Sequence, residues 1–255
     1  MLRSVLISGV LMTVTMLPQV AAALTLDEFK CEDRTEVLLW KFYAAKSKCI
    51  VVCEAEARAG KHSVSNCMPP FAQDTQGCVN GITGKLTGKF CKACNNNEPA
   101  CYGSGPCPGT VSQTKFNDIE DVVDNLIVTD DYCDDSGSGD GLTDAEGTCQ
   151  DTVARYLAKF ALGKAKCLAK CKAYEFKQAI PAGSCTPGII TDPTGRTQAC
   201  LQKVGLRYTV PVCADAPECH TRSGSQWNDA VETAIDDRVA GVFCESPSGA
   251  FVDTE

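Results

Sequence analysis

Eighteen cysteines and two histidines are the residues of this chain best suited to chemistry. The cysteines are Cys31, Cys49, Cys53, Cys67, Cys78, Cys91, Cys94, Cys101, Cys107, Cys133, Cys149, Cys167, Cys171, Cys185, Cys200, Cys213, Cys219 and Cys244. Thiols in such number can hold zinc, run redox exchange or form structural disulfides. A zinc framework of Cys and His has little support, because His62 and His220 are the only imidazoles. Cys91-Lys92-Ala93-Cys94 has the spacing of a redox dithiol, but that spacing arises readily in a Cys-dense chain. Asn95 follows it where a c-type haem site needs His. An even set of cysteines, all beyond an apolar leader, reads best as up to nine disulfides formed in an oxidising compartment. Nucleophilic catalysis needs a base beside the nucleophile. No Gly-x-Ser-x-Gly occurs, and no carboxylate pair recurs in a cleft-like motif. The expectation is a protein that is not an enzyme and carries no resident cofactor.

One acidic stretch, DSGSGDGLTDAEGTC at residues 135–149, supports a different chemistry. Its Asp140-Gly141-Leu142-Thr143-Asp144 resembles the core of bacterial and thrombospondin-type calcium repeats. Calcium takes several oxygen ligands at alternate positions. Asp140, Asp144 and Glu146 are the candidate metal ligands, yet Ser136 and Ser138 stand where two further acids belong, and Gly147 stands where the last one does. The same letters also spell a helix start. In Thr143-x-x-Glu146 the hydroxyl accepts an amide of the first turn while the carboxylate reaches back.

These residues must be positioned by something, and the leader and the repeat define it. Arg3, an apolar run from Val5 to about Leu17, then Ala21-Ala22-Ala23 form the layout of a secretory signal peptide over residues 1–23. The alternative, a membrane anchor, needs a longer apolar run; no later segment spans a membrane by length and hydropathy. The expected location is secreted or extracytoplasmic, in a periplasm or outside the cell. The formal net charge of −8 argues against nucleic acid as a partner. No Asn-x-Ser/Thr sequon is present.

Self-comparison shows a tandem repeat. Cys31 to Cys49 spans 18 residues, as does Cys149 to Cys167; the next two intervals, 4 and 14, also recur, giving an offset of 118. Asp33, Leu39, Lys41, Phe42, Lys46 and Lys48 repeat as Asp151, Leu157, Lys159, Phe160, Lys164 and Lys166. Later, Phe116-Asn117-Asp118 pairs with Trp227-Asn228-Asp229, and Cys133 with Cys244. The division is module one over 24–134, a Gly/Ser/Asp linker over 135–141, and module two over 142–255.

The expected fold is mainly α: two disulfide-stapled modules of about three helices each, with long loops. Thr25-x-x-Glu28 and Thr143-x-x-Glu146 open the first helices, and Gly60 and Gly183 are candidate stops. Second helices are expected near Thr75–Phe90 and Thr197–Tyr208, and third helices from Phe116 to Ile127 and from Trp227 to Val242. Antiparallel helix geometry suggests nested bonds Cys53–Cys67, Cys49–Cys78, Cys31 with Cys91 or Cys94, and Cys101–Cys133. Cys107 would take the remaining member of the Cys91/Cys94 pair. Cysteine parity then closes within each module, which implies two self-contained units.

The lysines of the first helix of module two, Lys159, Lys164, Lys166, Lys170 and Lys172, read as a solvated face or as an anion-binding strip. Tyr156, Phe160 and Phe42 read as core or as the lining of a ligand cavity. The spacing in Lys48-Cys49 and Lys166-Cys167-Leu168-Ala169-Lys170-Cys171 resembles that of uncharacterised secreted Cys-rich helical repeat proteins of bacteria. That resemblance implies no transferable activity. The expected role is therefore a binding or structural module toward a protein or polysaccharide. Its alternatives are a carrier of a small, lipid-like apolar ligand and a calcium-assisted surface interaction.

Overall fold

The computed structural model describes residues 24–94, 97–103, 107, 110–133, 142–188, 190–245 and 251. The leader (1–23) and the linker (135–141) lie outside them. Two helices of equal length organise the rest: α1, Leu26–Arg58, and α4, Asp144–Phe176, each of 33 residues. At 1.5 Å per residue each is roughly 50 Å long.

Both helices start on the expected capping boxes. The Thr25 amide donates to Glu28 Oε2 at 2.6 Å, and the Glu28 amide donates to Thr25 Oγ1 at 3.3 Å. Thr143 and Glu146 repeat the exchange at 2.7 and 3.2 Å. Both helices also end alike. The Lys61 amide donates back to the Glu56 carbonyl, and the Ala179 amide to the Tyr174 carbonyl. These are Schellman closures, which need a left-handed residue just past the helix. Gly60 supplies it at φ 73° and Gln178 at φ 56°. Gly183, expected to stop α4, therefore lies beyond the true stop, and a non-glycine residue holds the left-handed position.

The two long helices pack antiparallel across a pseudo-twofold axis. At one end Phe29 stacks on Phe176 with ring centroids 4.1 Å apart. At the other, Arg58 bonds Asp151 at 2.9 Å and lies where a side chain on Gly147 would sit. In the 118-residue register Phe29 corresponds to Gly147 and Arg58 to Phe176, so the ends exchange under the axis.

Each long helix carries its own second and third helices. α2 (Gln73–Cys94) lies on α1, and α5 (Arg196–Tyr208) on α4. Cys31–Cys94 and Cys49–Cys78 staple the first pair; Cys167–Cys200 staples the second, and Cys149–Cys213 ties α4 to the loop after α5. Cys53–Cys67 and Cys171–Cys185 close the turns between them, and Cys91 pairs with Cys107. α3 (Thr110–Val123) covers α1 and continues as a π-helical segment, Asp124–Thr129; α6 (Gly224–Val242) covers α4.

The π segment has a sequence cause. Lys46 of α1 bonds Glu120 and Asp124, while its equivalent Lys164 bonds Glu232 and Asp236, an offset of 112. Cys133 and Cys244, both at positive φ, are equivalent at an offset of 111. Module one thus holds one extra residue between these points, and a single wide turn absorbs it without breaking the helix. The third-helix register is correspondingly one residue away from the Phe116–Trp227 alignment.

Expected parity within modules fails at two bonds. Cys101 pairs with Cys244, and its equivalent Cys219 pairs with Cys133. Each module therefore gives one cysteine to the end of the other's third helix, and the exchange is reciprocal. The adjacent residues follow the same rule. Tyr102 donates to the Val242 carbonyl at 2.6 Å, and His220 Nε2 lies 2.9 Å from the equivalent carbonyl of Asp131. Apolar side chains of both halves, including Leu39, Ile50, Val123, Leu157, Leu168 and Ile235, form one continuous core. The repeats are halves of one interlocked body rather than self-contained units.

Candidate functional site

The sequence candidates fall apart as chemistry. Cys91 and Cys94 point to different partners, so the Cys-x-x-Cys is not a redox pair. No described cysteine is free. Cys53, His62 and Cys67 come within ligand distance of one another, as do Glu32, Cys101 and Cys244, but in each group the sulfurs are spent in a disulfide. A metal-binding thiolate is therefore not on offer at either place. Asp140 lies outside the described residues. Asp144 and Glu146 occupy the first turn of α4, where the Glu146 carboxylate accepts from both the amide and the hydroxyl of Thr143. Those bonds hold its pKa below the ordinary value.

The lysine strip divides. Lys164 and Lys172 are buried and ion-paired, Lys172 with Glu175 at 3.0 Å and with Glu245. Lys159, Lys166 and Lys170 are exposed. Phe42 and Phe160 are core residues, and Tyr156 is half-buried at its edge; none of the three lines the two clefts described below.

The His220 side chain is almost wholly enclosed, at 4 % exposure. Its Nε2 lies 3.1 Å from the Asp131 carboxylate, and its ring packs edge-on against Trp227. Burial pushes the Asp131 carboxyl well above its ordinary value, against the pull of His220. Burial alone would lower the His220 pKa, but the hydrogen bond and charge of Asp131 outweigh it and raise the value. The pair sits beside the Cys133–Cys219 bond. Its geometry is that of a junction lock, matched by Tyr102 at the other junction.

A cleft of about 340 Å³ lies between α1 and α2, lined by Ala45, Val52 and Ile82, with Lys48, Glu56 and His62 around it. At the aligned place in module two the helices approach closely: a Cβ on Gly163, the counterpart of Ala45, would lie 2.8 Å from Val204.

A second groove, of about 280 Å³, runs along α1 and α4 themselves. Ala44, Val51, Ala154, Ala158 and Leu162 line it with Ser47, and Lys48, Arg155 and Lys159 stand at its rim. The groove breaks the pseudo-symmetry of the fold. In the 118-residue register, Ala154 corresponds to Glu36 and Ala158 to Trp40. Both are fully buried, so where α1 carries a large buried indole the aligned position of α4 carries a methyl group. The sequence carried this signal as a Trp-to-Ala difference between aligned helices, but its meaning depends on which faces meet.

Comparison with known proteins finds no matching family model, no curated protein and no solved structure. What supports a functional reading is therefore the molecule itself: a mainly α body, nine disulfides that fit an oxidising compartment, and no described helix long and apolar enough to cross a membrane.

Proposed function

We propose that the protein acts outside the cytoplasm as a non-enzymatic binding module, with the α1–α4 groove as its contact surface. The groove carries the reading. It is apolar at its base and open to solvent, and its Ala154 and Ala158 align with Glu36 and Trp40, which are fully buried. A chain that needed only to be stable would gain by filling the groove with larger side chains, since unfilled apolar space forfeits packing contacts. The disulfide lattice supports the reading by fixing both walls, so that a ligand meets a site already formed. The leader, whose cleavage after Ala23 is part of this proposal, delivers the chain to the compartment where such bonds form.

A carrier of a small apolar ligand is the second reading, favoured by the same apolar base. Native mass spectrometry of secreted full-length product separates the two. A small-molecule mass released on denaturation identifies a carrier. An adduct-free protein that still gives one saturable site for a solvatochromic apolar dye, lost in Ala158→Trp, fits the binding module. Absence of any site together with turnover of simple ester, peptide or glycoside substrates would overturn both.

A further inference from the structure

We infer that the α1–α4 groove takes a single-chain anionic amphiphile, with its apolar chain along the helices and its acidic head at the Lys48–Arg155–Lys159 rim. This rests on the groove being the contact surface. Three features of the site set the ligand class.

The first is size. About 280 Å³ falls just below the roughly 300–1,000 Å³ typical of ligand sites, which favours a single narrow chain over a bulkier ligand. The second is the lining. Ala154 and Ala158, with Ala44, Val51 and Leu162, leave a smooth apolar trough, whereas the aligned residues of α1 are the larger Glu36 and Trp40. The trough offers a chain burial without demanding directional polar partners.

The third is charge. The whole chain has a formal net charge of −8, yet the groove rim is cationic. Among the described residues Lys48 and Lys159 have no carboxylate at ion-pair distance. Arg155 reaches Asp151 at 3.3 Å, but that carboxylate is already held by Arg58 at 2.9 Å and by the Tyr132 hydroxyl at 2.8 Å. Two guanidiniums share one acid, so the rim keeps a net positive charge. A carboxylate head completes it, and a cationic or neutral head does not.

Calorimetric titration of the secreted, fully oxidised chain tests this with amphiphiles of one tail, all below their micellar concentrations: dodecanoate, uncharged dodecanol and dodecyltrimethylammonium. Dodecanoate should bind one to one and at least about tenfold more tightly than the other two, a difference of about 1.4 kcal/mol. Ala158→Trp should abolish binding by adding the bulk that Trp40 carries at the aligned position. Lys159→Glu, a change at an exposed position, should weaken dodecanoate by about tenfold or more and improve the cationic probe. The proposal is overturned if dodecanoate fails to bind, if head charge makes no difference, or if Lys159→Glu leaves the order of the three probes unchanged. An apolar dye that still binds, and is still displaced by Ala158→Trp, would then leave the groove standing as the contact surface and remove only the acidic head.

Discussion

Cys101 is bonded to Cys244 across 143 residues, with Cα atoms 5.9 Å apart, although Cys133 of its own repeat is the equivalent acceptor. Together with Cys133–Cys219 this bond ties the two halves covalently. A protease site inserted within residues 135–141 should therefore be cut without separating the halves on a non-reducing denaturing gel. Reduction should release two pieces. In the double variant Cys101→Ser and Cys133→Ser the cut halves should separate without reductant. Loss of both long-range bonds should also lower unfolding free energy by about 4–8 kcal/mol, at roughly 2–4 per bond, because the unfolded chain regains large loops. Guanidinium titration measures that.

Stability should be greatest at mildly acidic pH. Burial raises the Glu36 carboxyl from 4.5 to about 8, with Asp236 and Asp33 adding to the shift and Trp40 and Lys164 opposing it. The folded state then binds more protons than the unfolded one between those two values, so stability falls as pH rises through that window. Asp131 and His220 act in the same sense, since both values are raised by folding. Asp192 acts the other way at the acid end. Burial disfavours its charge, but the amides and hydroxyls of Thr194 and Thr197 overcome that and hold it at about 2, so its contribution disappears below about pH 4. Melting temperature recorded against pH should peak near pH 5 and fall toward pH 8. Glu36→Gln should flatten the alkaline slope; an unchanged slope would place the titrating group elsewhere.

What was legible in the sequence was local. The capping boxes at Thr25 and Thr143 lie within four residues, and their partners cannot be elsewhere. In module one Cys53–Cys67 and Cys49–Cys78 follow from two antiparallel helices, whereas the partner of Cys31 stayed open between Cys91 and Cys94 until the packing chose Cys94. Cys101 was different. The repeat makes Cys133 and Cys244 chemically identical partners, and only the packing of the two halves chooses between them. Burial of Lys46 and Lys164 was hidden for a similar reason: their acids lie 74 and 68 residues away on the third helices. The groove was invisible because a Trp-to-Ala difference means little until the faces of α1 and α4 are known to meet.

α2 contains an internal excess of helix-breaking residues. Gly81 and Gly84 are exposed on it, and a Cβ at either would meet nothing within 4 Å. Neither takes a left-handed conformation, so packing supplies no reason for glycine there. Gly81→Ala and Gly84→Ala should each stabilise the fold by about 0.5–1 kcal/mol by reducing the freedom of the unfolded chain. Chemical denaturation of the single variants checks this, and their effects on amphiphile binding should be nil because neither residue lines the α1–α4 groove.

Lys46 and Lys164 are the ion-pair hubs of the two halves. Lys46 meets Glu120 at 3.0 Å and Asp124 at 2.6 Å; Lys164 meets Glu232 at 2.5 Å and Asp236 at 2.8 Å. Each lysine is buried, while its acids are partly exposed, and burial already raises the carboxyls of Asp124 and Asp236. Removing one lysine strands carboxylates that the fold desolvates, and truncating a buried pair costs about 3–5 kcal/mol. Partial exposure of the acids places the expected loss for Lys164→Ala near the lower end, about 3 kcal/mol. The loss should shrink as pH falls and the stranded Asp236 takes up a proton. Lys164→Met, which keeps the apolar stem, should lose less than Lys164→Ala because the methylenes still fill the space between α4 and α6. Parallel denaturation curves at pH 7 and pH 4 for the two variants separate the charge from the packing. An equal loss at both pH values would show that packing alone makes Lys164 necessary.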